Sequence, residues 1–413
     1  MNINFANKIF PISLVALSCF GIGIYPYLNE AAATAEPSGI TKEGEISERA
    51  PELAFRNEDE SNIEVVFVLD TTSSMSGMIQ AAKDNIWSIA STMASAESAP
   101  SIKMGLVAFR DRGDAYVTKV FDLSEDLDGM YTTLMDFKAQ GGGDGPESVN
   151  QALHEAVTKI SWSNNNSSYK VIFLVGDAPP HMDYQNDVQF PESVELATNK
   201  GIIVNTIQAG QDANTQRSWQ KIASLSQGNY FNVNAEGSHV AVSTPFDSDI
   251  ATLSEELDAT RVFYGSEVDR AKNELKAAAS KKLHAIASVA SRAKRALFNT
   301  SASGEENFRG DKELIGAVSS GELSLEDVAE AELPAALRAL PEAEREAEVM
   351  RQAEKRQKIS EQIAELASQR DAYLADELAN KADLHESLDH QIYETVAKQA
   401  MDKGLRYEGG PKY

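Results

Sequence analysis

The sequence predicts an α/β protein: a doubly wound, mostly parallel six-stranded sheet followed by an α-helical C-terminal region. Three observations lead there. Two uninterrupted apolar runs, "VVFVL" before Asp70 and "VIFLVG" before Asp177, read as strands buried on both faces. Around them, short apolar runs alternate with stretches whose apolar residues recur at helical spacing. From Val262 onward the strand pattern stops and the chain turns rich in Ala, Glu, Lys and Arg.

The elements follow in order. "IEVVFVLD" is the first strand, and the helix after it carries Ile79, Ala82, Ile86, Ile89 and Met93 on one face. "IKMGLVAFRD" and "VTKVFDL" are strands too close together for a crossover helix, so they form a hairpin with one antiparallel edge strand. "EDLDGMYTTLMDFK" is a helix. "GGGDGPESVNQALHEAVTKI" is a glycine-rich loop opening a helix, with Pro146 suited to its first turn. "YKVIFLVGDAPPH" is a strand, and "VELATNKG" a helix closed by Gly201. "IIVNTIQAG" is a strand, "TQRSWQKIASLSQG" a helix ended by Gly228, and "NYFNV" an edge strand. "STPFDSDIATLSEELDAT" is the last helix of this part. Trp87, Trp162 and Trp219 all fall on predicted helices, where core packing accounts for them.

Beyond it, "EVDRAKNELKAAASKKLHAIASVASRAKRALF" is helical, and a longer helical stretch follows with breaks at Pro334 and Pro341. Ile359, Ile363, Leu366 and Tyr373 lie near heptad spacing. Arg356 and Arg370 interrupt that seam, so a short helical hairpin or a partner-binding helix fits better than a sustained coiled coil.

The N-terminus sets Lys8 before an apolar run from Ile9 to Leu28, then Ala33-Thr34-Ala35 as a small-x-small cleavage pattern. That is the order of a secretory signal peptide, with an uncleaved signal anchor as the alternative. Either way the chain is exported, to the periplasm or the extracellular side, with membrane contact only through such an anchor. Cys19 is the sole cysteine and lies in the leader, so the mature chain has no disulfide and no thiolate metal site. Residues 36–60 are polar and aperiodic, a linker. The organisation expected is leader 1–35, linker 36–60, α/β domain 61–260 and helical region 261–413.

With 63 acidic against 38 basic residues the net charge is −25, which argues against nucleic-acid binding. It is compatible with cations. Ligand sites of open α/β sheets lie at the carboxyl ends of strands, where the strand order reverses. "DTTSS", "GGGDGPE" and "GDAPPH" all sit at such ends. Asp70, Asp144 and Asp177 there are costly to keep ionised without a cation or donors. Asp70, Thr72 and Ser74 can turn toward one point, and hydroxyl and carboxylate oxygens suit Mg²⁺ or another divalent cation such as Mn²⁺ or Ca²⁺. Plain helix capping by Asp70 or Asp144 is the competing reading. His181 reads as a surface histidine in a proline turn, with a metal neighbour or a base as alternatives.

"DTTSS" resembles the Asp-x-Ser-x-Ser signature of von Willebrand factor type A domains, at their metal-ion-dependent adhesion site, and "GGGDGPE" and "GDAPPH" look like forms found in bacterial members. The resemblance spans roughly residues 63 to 258. It implies strand order 3-2-1-4-5-6, with the strands ending in Asp70 and Asp177 as neighbours. It also implies Thr72 and Ser74 as direct metal ligands, Asp70 and Asp177 acting through water, and a protein partner at the metal face. Where the family supplies a threonine, this sequence has Asp144, with Glu147 as the less favoured choice. A carboxylate there reduces the metal's appetite for an acidic partner residue.

Enzyme signatures are poorly matched. An aspartyl phosphatase wants a second Asp where Thr72 stands, Ser74 lacks a nucleophile elbow, and "GGGDGPES" lacks the Walker lysine. The expectation is a metal-dependent protein-interaction or adhesion module without catalytic residues. A metal-dependent hydrolase using the same crevice and a scaffold with a vestigial site are the alternatives.

Overall fold

A computed structural model describes residues 62–143, 145–233, 243–379 and 388–407, all within one compact unit, Arg56–Tyr413. The leader and linker expected over residues 1–60 lie outside the described residues, as does Asp144. Among the described residues no helix is long and apolar enough to cross a membrane.

Six strands form one sheet: β1 (Asn62–Asp70), β2 (Ser101–Phe109), β3 (Thr118–Ser124), β4 (Tyr169–Gly176), β5 (Ile202–Ala209) and β6 (Tyr230–Val233). Their order is β3-β2-β1-β4-β5-β6. Only the β2–β3 pairing is antiparallel among these strands, so the hairpin puts its antiparallel member at an edge, as the short connection requires. β1 and β4 run side by side in register, Ile63 opposite Tyr169 through Leu69 opposite Val175. From β1 the sheet grows one way, and from β4 the other. The crevice between their carboxyl ends is therefore the switch point.

Strand alternation divides the core. Ile63, Val65 and Leu69 face one layer with Val171, Phe173 and Val175. Val66, Val68, Ile172 and Leu174 face the other. The first layer is covered by α1 (Ser76–Ala94) and α2 (Leu127–Asp136), through Trp87, Met93, Tyr131 and Leu134. The second is covered by α3 (Val149–Thr158), α4 (Phe190–Asn199) and α5 (Ala213–Leu225), through Leu153, Val194, Trp219 and Ile222. Pro146 stands outside the first turn of α3, which begins at Val149. Trp162 lies in the loop after α3, where its Nε1 donates to the Ala156 carbonyl at 2.8 Å.

The C-terminal region is helical as expected: α6 (Asp247–Asp258), α7 (Glu267–Ile286), α8 (Val289–Asn299), α9 (Glu305–Arg309), α10 (Leu314–Ser319), α11 (Ala335–Arg338), α12 (Glu342–Ala379) and α13 (Leu388–Met401). It shares the first layer's core, to which Leu283, Phe298, Ile392, Val396, Ala400 and Leu405 contribute. Each fully buried aliphatic side chain of this kind contributes about 1.5–3 kcal/mol. Gln399 on α13 accepts from the Tyr169 hydroxyl (2.7 Å) and donates to the Asn205 side chain (2.9 Å), fastening α13 to β4 and β5. The two arginines that break the heptad seam hold α12 in place: Arg356 binds Glu313 (2.8 Å), and Arg370 binds Asp247 (2.9 Å).

A buried ion cluster joins the edge of the sheet domain to the C-terminal helices. Arg295 on α8 makes two bonds to Asp128 on α2, Nε–Oδ1 2.6 Å and Nη2–Oδ2 2.5 Å, and both residues are fully buried. Arg295 also reaches Asp258 on α6 at 3.0 Å. Asp258 in turn meets Arg261 (3.2 Å) and His284 on α7 (2.7 Å). Burial by itself would raise the Asp128 carboxyl, but the Arg295 guanidinium overrides it and holds that carboxyl well below the usual carboxylate range.

Candidate functional site at the sheet switch point

β1 carries its apolar run straight into Asp70, which is 1% exposed. Its Oδ1 accepts from the backbone N–H of Thr72 (2.8 Å) and from the Thr72 hydroxyl (2.7 Å), closing an Asx-type turn. Thr72 is extended, a short 3₁₀ turn follows over Ser73–Met75, and α1 begins at Ser76. The turn brings alternate side chains to one side. The Thr72 and Ser74 hydroxyls lie 3.1 Å apart, and Ser74 donates to Asp177 Oδ1 at 3.1 Å. Asp70, Thr72, Ser74 and Asp177 thus form one continuous polar chain across β1 and β4. Thr71 points elsewhere: its hydroxyl donates to the Phe109 carbonyl (2.8 Å) and tethers the end of β1 to β2.

Glycine makes the room. A Cβ on Gly176 would sit 3.0 Å from Asp70 Cβ and 3.1 Å from Trp219, so glycine at the end of β4 lets Asp70 fit without displacing either. Gly142 adopts φ +81°, and a Cβ there would lie 3.3 Å from Thr72 Cβ and 3.4 Å from Glu147 Oε1. Thr72 and the Glu147 carboxylate thus both close on Gly142.

Backbone bonds bind the three loops together. Gln140 N–H donates to the Thr71 carbonyl (3.1 Å) and Ser73 N–H to the Gly141 carbonyl (3.2 Å). Glu147 N–H donates to the Pro179 carbonyl (3.0 Å), while His181 N–H donates to the Glu147 carbonyl (3.1 Å). "DTTSS", "GGGDGPE" and "GDAPPH" are therefore one cradle.

Its electrostatics are those of crowded carboxylates. Burial pushes Asp70 up to about 7 against the pull of its Thr72 hydrogen bonds, with Asp177 adding to the rise. Burial pushes Glu147 up to about 9, and Asp70, Asp111, Asp114 and Asp177 all push it the same way. Asp177 is raised too, chiefly by burial. Asp70 Oδ2 and Glu147 Oε2 are buried with no hydrogen-bond partner among the described residues. Two orphaned carboxylate oxygens beside two hydroxyls fit a hard divalent cation. Among the described residues no group of three or more His, Cys, Asp or Glu is arranged to hold a metal ion.

Of the residues expected from the sequence, Asp70, Thr72, Ser74 and Asp177 come together, and Glu147 joins them as the carboxylate of the middle loop. His181 departs from expectation. It is buried rather than on the surface, its ring stacked on Tyr184 (3.9 Å between centroids) and its Nδ1 2.8 Å from Asp183 Oδ1. Its Nε2 lies 3.4 Å from Asp111 Oδ2. Asp111 was not singled out in the sequence. It accepts from the hydroxyls of Ser148 (2.7 Å) and Tyr184 (2.8 Å) and so braces the residue next to Glu147. Asp114, also missed, accepts from Gly142 N–H at 3.0 Å. The visible signal for both was "RDRGD" at a hairpin tip adjoining the crevice.

A family model described as the von Willebrand factor A domain matches residues 64–244. The match supports a von Willebrand factor A domain over that segment. Among solved structures, the chain is similar to the conserved hypothetical protein BatB from Bacteroides thetaiotaomicron, at 16% identity over 42% of this chain and 91% of that one, TM-score 0.32. It is similar to the SpRpn10 VWA domain at 14% identity, over 42% of this chain and 89% of that one, TM-score 0.33. Proximal thread matrix protein 1 from the mussel byssus, in a structure described as having a zinc-occupied MIDAS motif, is 16% identical over 42% of each chain, TM-score 0.33. No curated protein matches the chain.

Proposed function

We propose that this chain is an exported, non-enzymatic protein-interaction module that binds a divalent cation, Mg²⁺ in the first instance, at the switch-point crevice. Thr72 and Ser74 supply neutral hydroxyl oxygens. Asp70, Asp177 and Glu147 supply charge, directly or through water. The ion orders the three loops and presents a face to a protein partner. The observation that carries this reading is the pair of buried, unpartnered carboxylate oxygens, Asp70 Oδ2 and Glu147 Oε2, set against the Thr72–Ser74–Asp177 chain. Such oxygens cost free energy until a cation or donor meets them. Export is supported by Lys8, the apolar run after it and Ala33-Thr34-Ala35. A binding role is favoured over hydrolysis because His181, the imidazole of the third loop, is packed under Tyr184 with Asp183 on its Nδ1.

Calorimetric titration of the full chain with Mg²⁺ tests the cation site. We expect saturable binding, weakened at least tenfold by Ser74→Ala. Capture of a partner with Mg²⁺, with chelator and with Ser74→Ala tests the interaction role. The same partners retained equally in all three conditions would exclude metal-dependent recognition.

A further inference from the structure

We propose that α7 (Glu267–Ile286) is a self-association surface: two copies of this chain pair through it, antiparallel, about a twofold axis beside Ala278. The surface lies on the helical region and does not involve the crevice.

The helix has two unlike faces. Asn273, Lys276, Ser280 and Leu283 are buried against the rest of the chain. The opposite face carries Val268, 79% exposed, and Leu275, 73% exposed. Ala271 and Ala278 are exposed with them. These four positions follow alternate steps of three and four residues, so on a helix they form one apolar stripe. Single exposed apolar side chains are ordinary. A continuous stripe of them is the pattern of a helix that packs on another helix.

The flank of the stripe decides the occupant. Glu267, Glu274 and Lys281 recur every seven residues and so lie in one row beside it, acidic towards the N-terminus of the helix and basic towards its C-terminus. All three are exposed, and none makes an ion pair among the described residues. Lys272 and Lys282, by contrast, are held within the chain by Asp311 and Asp136. In an antiparallel pair of identical helices this row faces its own copy reversed. Glu274 of each copy then meets Lys281 of the other, once on either side of the axis. A parallel pair would set Glu274 on Glu274 and Lys281 on Lys281, which like-charge repulsion disfavours. Joining 274 to 281 places the axis midway, beside Ala278, where a small side chain lets the helices approach closely. The same register sets Ala271 opposite Ala285 and lays Leu275 along the methylene stem of the other copy's Lys282. The face is therefore complementary to itself in shape and charge, as an isologous contact requires.

One helix face is a small interface, so the pair is reversible and concentration-dependent. A net charge of −25 on each copy opposes approach at long range. At physiological salt that repulsion is screened beyond about 8 Å, which leaves the complementarity at contact to act.

Sedimentation equilibrium of the full chain at physiological salt, across a wide concentration range, tests the proposal. Wild type should show a reversible monomer–dimer equilibrium. Glu274→Lys alone and Lys281→Glu alone should each weaken it by about tenfold, since either turns both symmetric attractions into repulsions. Glu274→Lys combined with Lys281→Glu restores opposite charges across the axis and should return the dimer to within about threefold of wild type. Within one copy the two positions are two helical turns, about 10 Å, apart, so such recovery arises between copies. Leu275→Ser should weaken the dimer as well, with the melting temperature unchanged because the side chain is exposed in the single chain. A wild type that stays monomeric overturns the proposal and leaves the stripe to a different protein or to another segment of this chain. A dimer indifferent to Leu275→Ser and to both charge reversals overturns it in favour of another surface. A double variant as weak as the single ones overturns the antiparallel pairing on which the proposal stands.

Discussion

Replacing Arg295 with Met should separate the C-terminal helices from the sheet domain energetically while leaving the crevice untouched. Arg295 and Asp128 are fully buried and share two short hydrogen bonds, and Asp258 lies 3.0 Å from the same guanidinium. Taking away the cation leaves Asp128 buried with the Ser280 hydroxyl at 2.7 Å, while Asp258 keeps Arg261 and His284. Breaking one side of such a pair costs about 3–5 kcal/mol. The pH dependence fixes the cause. In wild type the Asp128 carboxyl sits below its unfolded value, so its contribution is complete above roughly pH 4 and is lost only as pH falls through the folded value. It is therefore flat between pH 5 and 8. In Arg295→Met, burial without the guanidinium raises the same carboxyl above its unfolded value. Stability then declines as pH rises through the new value. Urea unfolding should show a deficit of about 3–5 kcal/mol at pH 8, shrinking by about 1–2 kcal/mol at pH 5. Adding Asp128→Leu to Arg295→Met should recover most of it. A single variant within about 1 kcal/mol of wild type at pH 8, or a deficit that grows on acidification, would refute the reasoning.

Other expectations follow from the same contacts. Excess Mg²⁺ at a hundred times its dissociation constant should stabilise the protein by about 2.7 kcal/mol in thermal unfolding, and chelator should reverse it. Gly142→Ala forces a side chain into φ +81° against Thr72, so it should lose more than about 1 kcal/mol and weaken Mg²⁺ in calorimetry. Ile392→Ala empties a position 1% exposed in the main core and should cost about 2–5 kcal/mol in urea unfolding.

Much of the fold was legible because its signals are local. An unbroken apolar run marks a strand covered on both faces, and a connection too short for a helix marks a hairpin. The site was legible as three loops for the same reason: each motif adjoins a strand end. Choices that depend on tertiary context were not. Asp144, the favoured choice in the middle loop, lies outside the described residues, while the backbone of Glu147 pairs with Pro179 and His181, which no local pattern announces. His181 looked exposed because two prolines precede it in a turn, whereas Tyr184, three residues on, stacks against its ring and Asp111, far away in sequence, lies at its Nε2. Arg356 and Arg370 looked like flaws in an apolar seam. Their partners Glu313 and Asp247 come from other helices, which no periodicity reveals.

The placement of α13 bears on how the chain matures. Gln399 meets Tyr169 across 230 positions of sequence, and Ile392, Val396 and Leu405 fill the layer beneath β1 and β4. These contacts cannot form until the chain has been made beyond Leu405. Until then the sheet has one incompletely covered face. Closing so long a loop is slow, so native structure is completed late rather than domain by domain as synthesis proceeds. The arrival of α13 therefore decides when the sheet's first layer is closed.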